Sequence, residues 1–166
     1  MWVKDETGVD KFHENDNQLY QILSNHQSAD NIDTWITTPG HLAKAFKAEV
    51  PEVKSVTSAT RTFGSYGLTS NNQYLNAQGR FAMDNFFQIF SFEMLEGNAK
   101  KLFPNKNGIV ISDELAMKWY ESPEKAIGKT ITYESHTGDV ETIVSGVFKK
   151  LPKNSSIQFD LSLIHI

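Results

Sequence analysis

Hydrophobic and polar positions along this chain sort into short segments, and the densest apolar segment runs from Arg80 to Gly97. Five of the eleven phenylalanines fall within it. Phe86, Ile89 and Phe90 recur at helical spacing behind Asp84, a candidate N-cap, whereas Phe92, Met94 and the residues toward Gly97 alternate as in a strand. The pattern predicts a short aromatic helix turning into a strand. Burying a side chain of this kind is worth roughly 1.5–3 kcal/mol, so the stretch is expected to form a core that neighbouring elements cover.

Upstream, residues 3–17 are polar around a single Phe12 and predict a solvated helix or arm anchored by that ring. Leu19, Tyr20, Ile22 and Leu23 predict a mostly buried strand over Gln18 to Ser24, with a helix as the open alternative for so short a run. Ser28 to Asp33 reads as a turn. Thr38-Pro39 is a helix start, Leu42, Ala45, Phe46 and Val50 share one face, and Pro51 ends the helix. Val53, Val56 and Ala59 to Phe63 then predict a strand, giving a β-α-β unit over 18–63. Gly64-Ser65-Tyr66-Gly67 and Thr69-Ser70-Asn71-Asn72 read as a turn or flexible tip and as the internal boundary of the chain.

Downstream, Tyr74 to Phe81 predicts a strand feeding the aromatic segment, and Gly97 to Gly108 a loop containing Pro104 and Asn105. Gly108 to Ser112 is a short buried strand whose serine caps a helix carrying Asp113 and Glu114 in its first turn and Leu115 and Trp119 inward, with Pro123 as its stop. Thr130 to Tyr133 alternates, Gly138-Asp139 is the expected hairpin turn, and Val140 to Phe148 returns with a bulge or close approach at Gly146. After a basic loop from Lys149 to Ser156, Ile157, Phe159, Leu161 and Leu163 alternate with Gln158, Asp160 and Ser162, predicting a strand with one buried face. The expected fold is α+β in two small lobes: an arm over 1–17, a β-α-β lobe over 18–70, and an inserted, β-rich lobe with short helices over 71–166.

At 166 residues, 39% hydrophobic and 22% charged, the chain is long enough to bury a real core. A net charge of −4 argues against nucleic acid as a partner, since no surplus of Lys and Arg is there to neutralise phosphates. The absence of cysteine excludes disulfide and thiolate chemistry. No run approaches the ~20 apolar residues that span a bilayer. Leu161 to Ile166 stays apolar to the last residue, which suggests a soluble piece of something longer.

Motifs for chemistry fail on inspection. The histidines at 13, 26, 41, 136 and 165 have no metal-ligand spacing, and His13-Glu14 lacks the second histidine of a zinc helix because position 17 is Asn17. Gly128-Lys129-Thr130 has Pro123 where a phosphate loop needs glycine, and Gly64-Ser65-Tyr66-Gly67 is one residue short of a nucleophile elbow. The pairs Asp5/Glu6 and Asp113/Glu114 read as solvated surface. No catalytic, metal or cofactor residue is therefore assigned. Binding is carried disproportionately by loops, so the candidate docking residues are Tyr66, Asn71 and Asn72 around the expected tip and Lys149, Lys150 and Lys153 in the basic loop.

Three stretches together resemble the extracytoplasmic core domain of MacB/FtsX-type ABC-transporter permeases. They are Asp10-Lys11-Phe12-His13-Glu14-Asn15 with Leu19-Tyr20-Gln21-Ile22; Phe86 to Phe92 with Leu95-Glu96-Gly97; and Gly146 to Ser155 before Ile157-Gln158-Phe159-Asp160. Ile109-Val110-Ile111-Ser112 leading to Ala116, and Ile127-Gly128-Lys129, stand in the order that family shows. The resemblance implies a non-catalytic, cofactor-free domain between two transmembrane helices, on the periplasmic side of the inner membrane. The arm over 1–17 would then follow a membrane helix. Implied partners are the membrane part of the same permease, indirectly its cytoplasmic ATP-binding subunit, and a periplasmic adaptor, lipoprotein or peptide cargo. The second β-α-β unit of that family would follow residue 166, so the first lobe is an incomplete porter-like unit, and an unpaired sheet edge would favour a homodimer. The rival reading is a free-standing periplasmic or secreted binding protein, and behind it an unrecognised hydrolase.

Overall fold

The computed structural model of the protein describes residues 8–62, 64–103 and 106–164. Parts of the readings made above for the arm, for Phe63, for Pro104-Asn105 and for His165-Ile166 lie outside the described residues. Within the arm, Asp16–Gln18 forms a single 3-10 turn, and the half-buried Phe12 packs against the aromatic core as expected, joined by the more deeply buried His13, which lies against Phe12, Phe90 and Phe92.

The first strand does not lie where the apolar run placed it. Tyr20 is 86% exposed, Leu23 is exposed as well, and β1 begins only at Ser24 (Ser24–Gln27). It pairs antiparallel with β2 (Ile32–Trp35) across a narrower turn than expected, in which the Ser28 N–H donates to the Asn31 carbonyl at 2.8 Å. Apolar residues specify a strand only where a facing layer covers them, and this two-stranded sheet has almost no covered face: only Ser24 is even half-buried. Helix α1 (Leu42–Glu49) follows and ends at Val50, which is extended before Pro51 as expected. Its N-cap position is His41, without a side-chain cap bond, rather than Thr38.

The third strand expected over 53–63 is reduced to one bridge, Ala59 to Ala82, with the Thr60 N–H bonded to the Phe81 carbonyl and the Met83 N–H to that of Ser58. The reason is competition for one edge. Strand β3 (Ser65–Ser70) pairs with β4 (Gln73–Ala82) from Ser65 opposite Gln78 onward, and residues 58–60 continue the same edge in an offset register. The stretch 64–72, expected as a flexible tip, is thus mostly strand. The turn itself is confined to Asn71 and Asn72, whose φ values of 49° and 58° suit a tight hairpin.

The aromatic segment behaves as its spacing predicts, becoming helix α2 (Phe86–Ile89) and strand β5 (Met94–Glu96), although Asn85 rather than Asp84 takes the cap position. Strand β6 (Gly108–Ser112) is buried at every residue. Its Ser112 Oγ accepts from the Leu115 N–H and starts α3 (Asp113–Tyr120). That helix stops at Glu121, in the left-handed region at φ 67°, and Pro123 instead opens a further short helix, α4 (Pro123–Ala126), capped by Ser122. Strands β7 (Thr130–Ser135) and β8 (Gly138–Phe148) form a hairpin whose turn is His136-Thr137, one step before the glycine-aspartate pair. The bulge expected at Gly146 is present: Ile109 faces Val144, but Val110 faces Gly146.

Strand β9 (Leu161–Ile164) is shorter than the alternation suggested, and Ser162 is fully buried instead of facing water. It lies between β4 and β6 in a sheet ordered β5-β8-β6-β9-β4-β3-β7, so both of its edges are paired, and the burial of Leu161 and Leu163 on one face and Ser162 on the other shows that both faces are covered as well. Pairing of β7 back onto β8 closes six of these strands into a ring, with β5 attached outside. One core gathers Leu68, Ile109, Ile111, Ile131, Leu161 and Leu163 with Leu115 and Trp119 of α3. The other gathers Phe86, Phe87, Phe92, Val110, Phe148 and Phe159. The architecture is α+β, β-rich, with few and short helices.

Candidate functional site

Of the candidate docking residues, Asn71 and Lys150 contact opposite ends of α3. At one end, the Asn71 amide donates to the Trp119 carbonyl at 3.1 Å, and the neighbouring Ser70 hydroxyl is bonded to Tyr120 and to the Thr130 carbonyl. Asn71, Trp119, Tyr120, Glu121, Lys125 and Lys129 line an open depression of about 350 Å³ there. Tyr66 stands apart from this end. It is half-buried, edge-on to Phe81 and Tyr133 at 6.2 and 6.3 Å, and burial pushes its hydroxyl pKa up. It shapes the hairpin from beneath, while Asn71 and Asn72 are exposed.

At the other end of the helix, the Lys150 N–H bonds the Asp113 carboxylate at 3.0 Å. The Lys150 ammonium pairs with Asp160 at 2.6 Å and Glu114 at 3.3 Å. Partial burial works against its charge, but the hydrogen bonds and charges of the two carboxylates more than offset this and raise its pKa. Lys149 pairs with Glu93 at 2.9 Å. Lys153 is exposed and has no carboxylate within 4 Å among the described residues. The basic patch read from the sequence is therefore largely neutralised. An eight-residue helix rises about 12 Å, so the tip and the lysines present two separate surfaces.

Two buried titratable residues carried no sequence signal of this kind. Both ring nitrogens of His13 lack a hydrogen-bond partner, and burial lowers its pKa, against the opposing pull of Asp10, the Phe90 backbone and Asp16. Arg80 is 8% exposed. Its guanidinium carbon lies 5.5 Å from the ring centre of Phe86 and 5.0 Å from that of Phe159, and one Nη donates to the Thr62 hydroxyl at 3.3 Å. Burial pushes its pKa down to about 10, which still leaves it charged at neutral pH. The only hint in the sequence was its place at the head of the phenylalanine-rich stretch. Among the described residues no group of three or more His, Asp or Glu side chains could hold a metal ion, and no helix is long and apolar enough to cross a membrane.

The sequence matches, over residues 1–165, the family described as MacB-like periplasmic core domain. Among solved structures it is similar to a domain described as that of a permease from Porphyromonas gingivalis, with 24% identity and a TM-score of 0.68, covering 86% of this chain and 60% of that one. It is also similar to the periplasmic region of MacB from Actinobacillus actinomycetemcomitans, at 16% identity and a TM-score of 0.52 over 74% of this chain and 52% of that one. The extracellular domain of the ABC-type transporter YknZ from Gram-positive bacteria matches at 17% identity and a TM-score of 0.52, over 75% of this chain and 61% of that one. At these identities the likeness is one of fold. The chain spans between about half and three fifths of the solved chains it matches. No curated protein sequence matches it.

Proposed function

Because the chain belongs to the MacB-like periplasmic core domain family, we propose that it serves as the periplasmic domain of an ABC-transporter permease in the inner membrane. In this reading it makes and breaks no bonds. It transmits the motion that ATP hydrolysis imposes on the membrane helices to a periplasmic adaptor, a lipoprotein or a peptide cargo. The observation that carries the reading is the family match along residues 1–165, and the ring of paired strands suits a part that must pass on a displacement without yielding. The cytoplasmic ATP-binding subunit and the membrane part of the same permease are its proposed partners, and a homodimer is a further proposed state.

Docking is proposed at two places. Asn71 and Asn72 offer an exposed, sharply turned tip, and Lys153 offers a cation at the loop after β8. Tyr66, Lys149 and Lys150 support these surfaces through packing and ion pairs. The two-part organisation expected from the sequence is proposed in amended form, with the passage from the first part to the second before Ser65, since β3 and β4 pair as one hairpin.

The test is made in the intact transporter. Replacing residues 8–164 by a flexible linker should leave ATP hydrolysis measurable while transport falls to background. Transport that persists at wild-type level would refute the coupling role. Lys153→Glu and Asn72→Asp should each weaken partner capture without changing the melting temperature by more than a few degrees.

A further inference from the structure

Arg80 stands at the border of an open depression of about 630 Å³ and is the most completely buried of the cations around it. A guanidinium taken out of water is retained at acceptable cost when a carboxylate or a full set of acceptors receives it. Here neither is supplied. Among the described residues no carboxylate lies within 4 Å, the Nε–H has no partner, and Thr62 accepts one long bond. The nearby acids are engaged elsewhere: Asp160 with Lys150 and the Gln78 N–H, and Asp10 with the N–H and hydroxyl of Ser156. Phe86 and Phe159 fix the guanidinium by cation–π contact and supply no acceptor for its N–H groups.

The rest of the lining fits the same ligand. Arg61 adds a second, exposed cation without a carboxylate partner among the described residues. Gln78 and Gln158 bring amide groups, and no acidic side chain lines the depression. Ile36, 44% exposed, forms an apolar wall. A planar fork of donors matches a carboxylate, and an apolar wall beside it gives a carbon substituent somewhere to rest, which inorganic phosphate would leave empty.

We propose that the depression between Arg80, Arg61 and Ile36 binds a carboxylate-bearing organic ligand, with the carboxylate on the two arginines and its aliphatic part against the isoleucine. The source is the free C-terminus of a peptide or a small aliphatic acid. The site belongs to this chain alone and stands whether or not the chain serves a transporter.

The experiment is titration of the 166-residue chain with N-acetyl-Ala-Leu, its C-terminal amide, propionate and inorganic phosphate, followed by calorimetry and by the Arg80 side-chain NMR signal. The free-acid peptide or propionate should bind with millimolar or better affinity and shift that signal, and the amide should bind at least about tenfold more weakly. A tighter peptide points to a peptide end and a tighter propionate to a small acid; either ordering upholds the site. Equal binding of acid and amide, phosphate binding tighter than both acids, or no shift up to about 10 mM would overturn it. Arg80→Gln should abolish binding. Because that change can disturb the aromatic rim, Arg61→Gln on the exposed side is the second variant, with about a three- to tenfold loss expected and unchanged affinity counting against the proposal.

Discussion

Gly97 brings its backbone against that of Ser145, so that a methyl group added at Gly97 would lie 2.7 Å from the Ser145 carbonyl oxygen and 2.9 Å from the Gly146 Cα. The position also has φ +88°, outside the range that side chains with a Cβ adopt readily. Both contacts are to main chain, which cannot rotate aside. Gly97→Ala should therefore destabilise the fold by about 2 kcal/mol or more in urea denaturation, through strain where β5 meets the bulge of β8. Gly128→Ala, also at positive φ but with open space around it, should cost less.

Truncations in the aromatic core are expected to rank by burial. Phe86 and Phe159 are almost fully buried, 6.0 Å apart between ring centres, and each touches further rings. Alanine at either should cost about 3–5 kcal/mol by denaturant midpoint, whereas Phe90→Ala, at a half-buried ring, should cost clearly less. Equal losses at all three would contradict the packing described.

His13 makes stability depend on pH. Burial holds its folded-state pKa below the ordinary 6.5, although Asp10, the Phe90 backbone and Asp16 pull the other way. In the window between the two values the unfolded chain binds a proton that the folded chain refuses. Stability should therefore decline as pH falls from about 6.5 toward the folded-state value, and be indifferent to this residue above the window. In thermal melts at a series of pH values, His13→Leu should flatten that part of the profile; an unchanged slope would show that other groups set it.

The hairpin tip is testable through conformation alone. Asn71 and Asn72 both sit at positive φ, and Asn71 also holds the Trp119 carbonyl at the end of α3. Replacing Asn72 by glycine should be nearly neutral, while Asn72→Val should cost about 1–2 kcal/mol. Asn71→Gly keeps the turn but loses the bond to Trp119, and a loss of about 1 kcal/mol would assign that bond its share.

Legibility in the sequence tracked how strongly local pattern and tertiary packing agreed. Phe86 to Gly97, the Ser112 cap and the Gly146 bulge were readable because spacing, capping chemistry and burial all pointed the same way. Of the first sixty residues, only the helix that stops before Pro51 was readable. Ser24 to Gln27 has no apolar alternation at all, and its pairing with Ile32 to Trp35 is a matter of backbone hydrogen bonds. Ser65 to Ser70 reads as a turn by composition, yet Leu68 and Ser70 point into the fold, and β4 on one side and β7 on the other impose the strand. The docking lysines were visible as a cluster, but Glu93, Glu114 and Asp160 reach them only through the fold. Arg80 and His13 were hidden for the converse reason: what marks them is the lack of a partner, and a sequence does not display missing contacts.

Closure of the strand ring through β8 has a mechanical corollary. An open sheet can be peeled apart from its rim, one hydrogen bond at a time, under a small load. A hoop has no rim to start from, and here its eleven-residue staple meets β7 along its first half and β6 along its second. Force along the strands is shared by several ladders in shear, whereas tension around the hoop passes through every ladder in turn, which makes the two-pair seam of β3 with β7, Leu68 to Tyr133 and Thr69 to Thr132, its point of first yield.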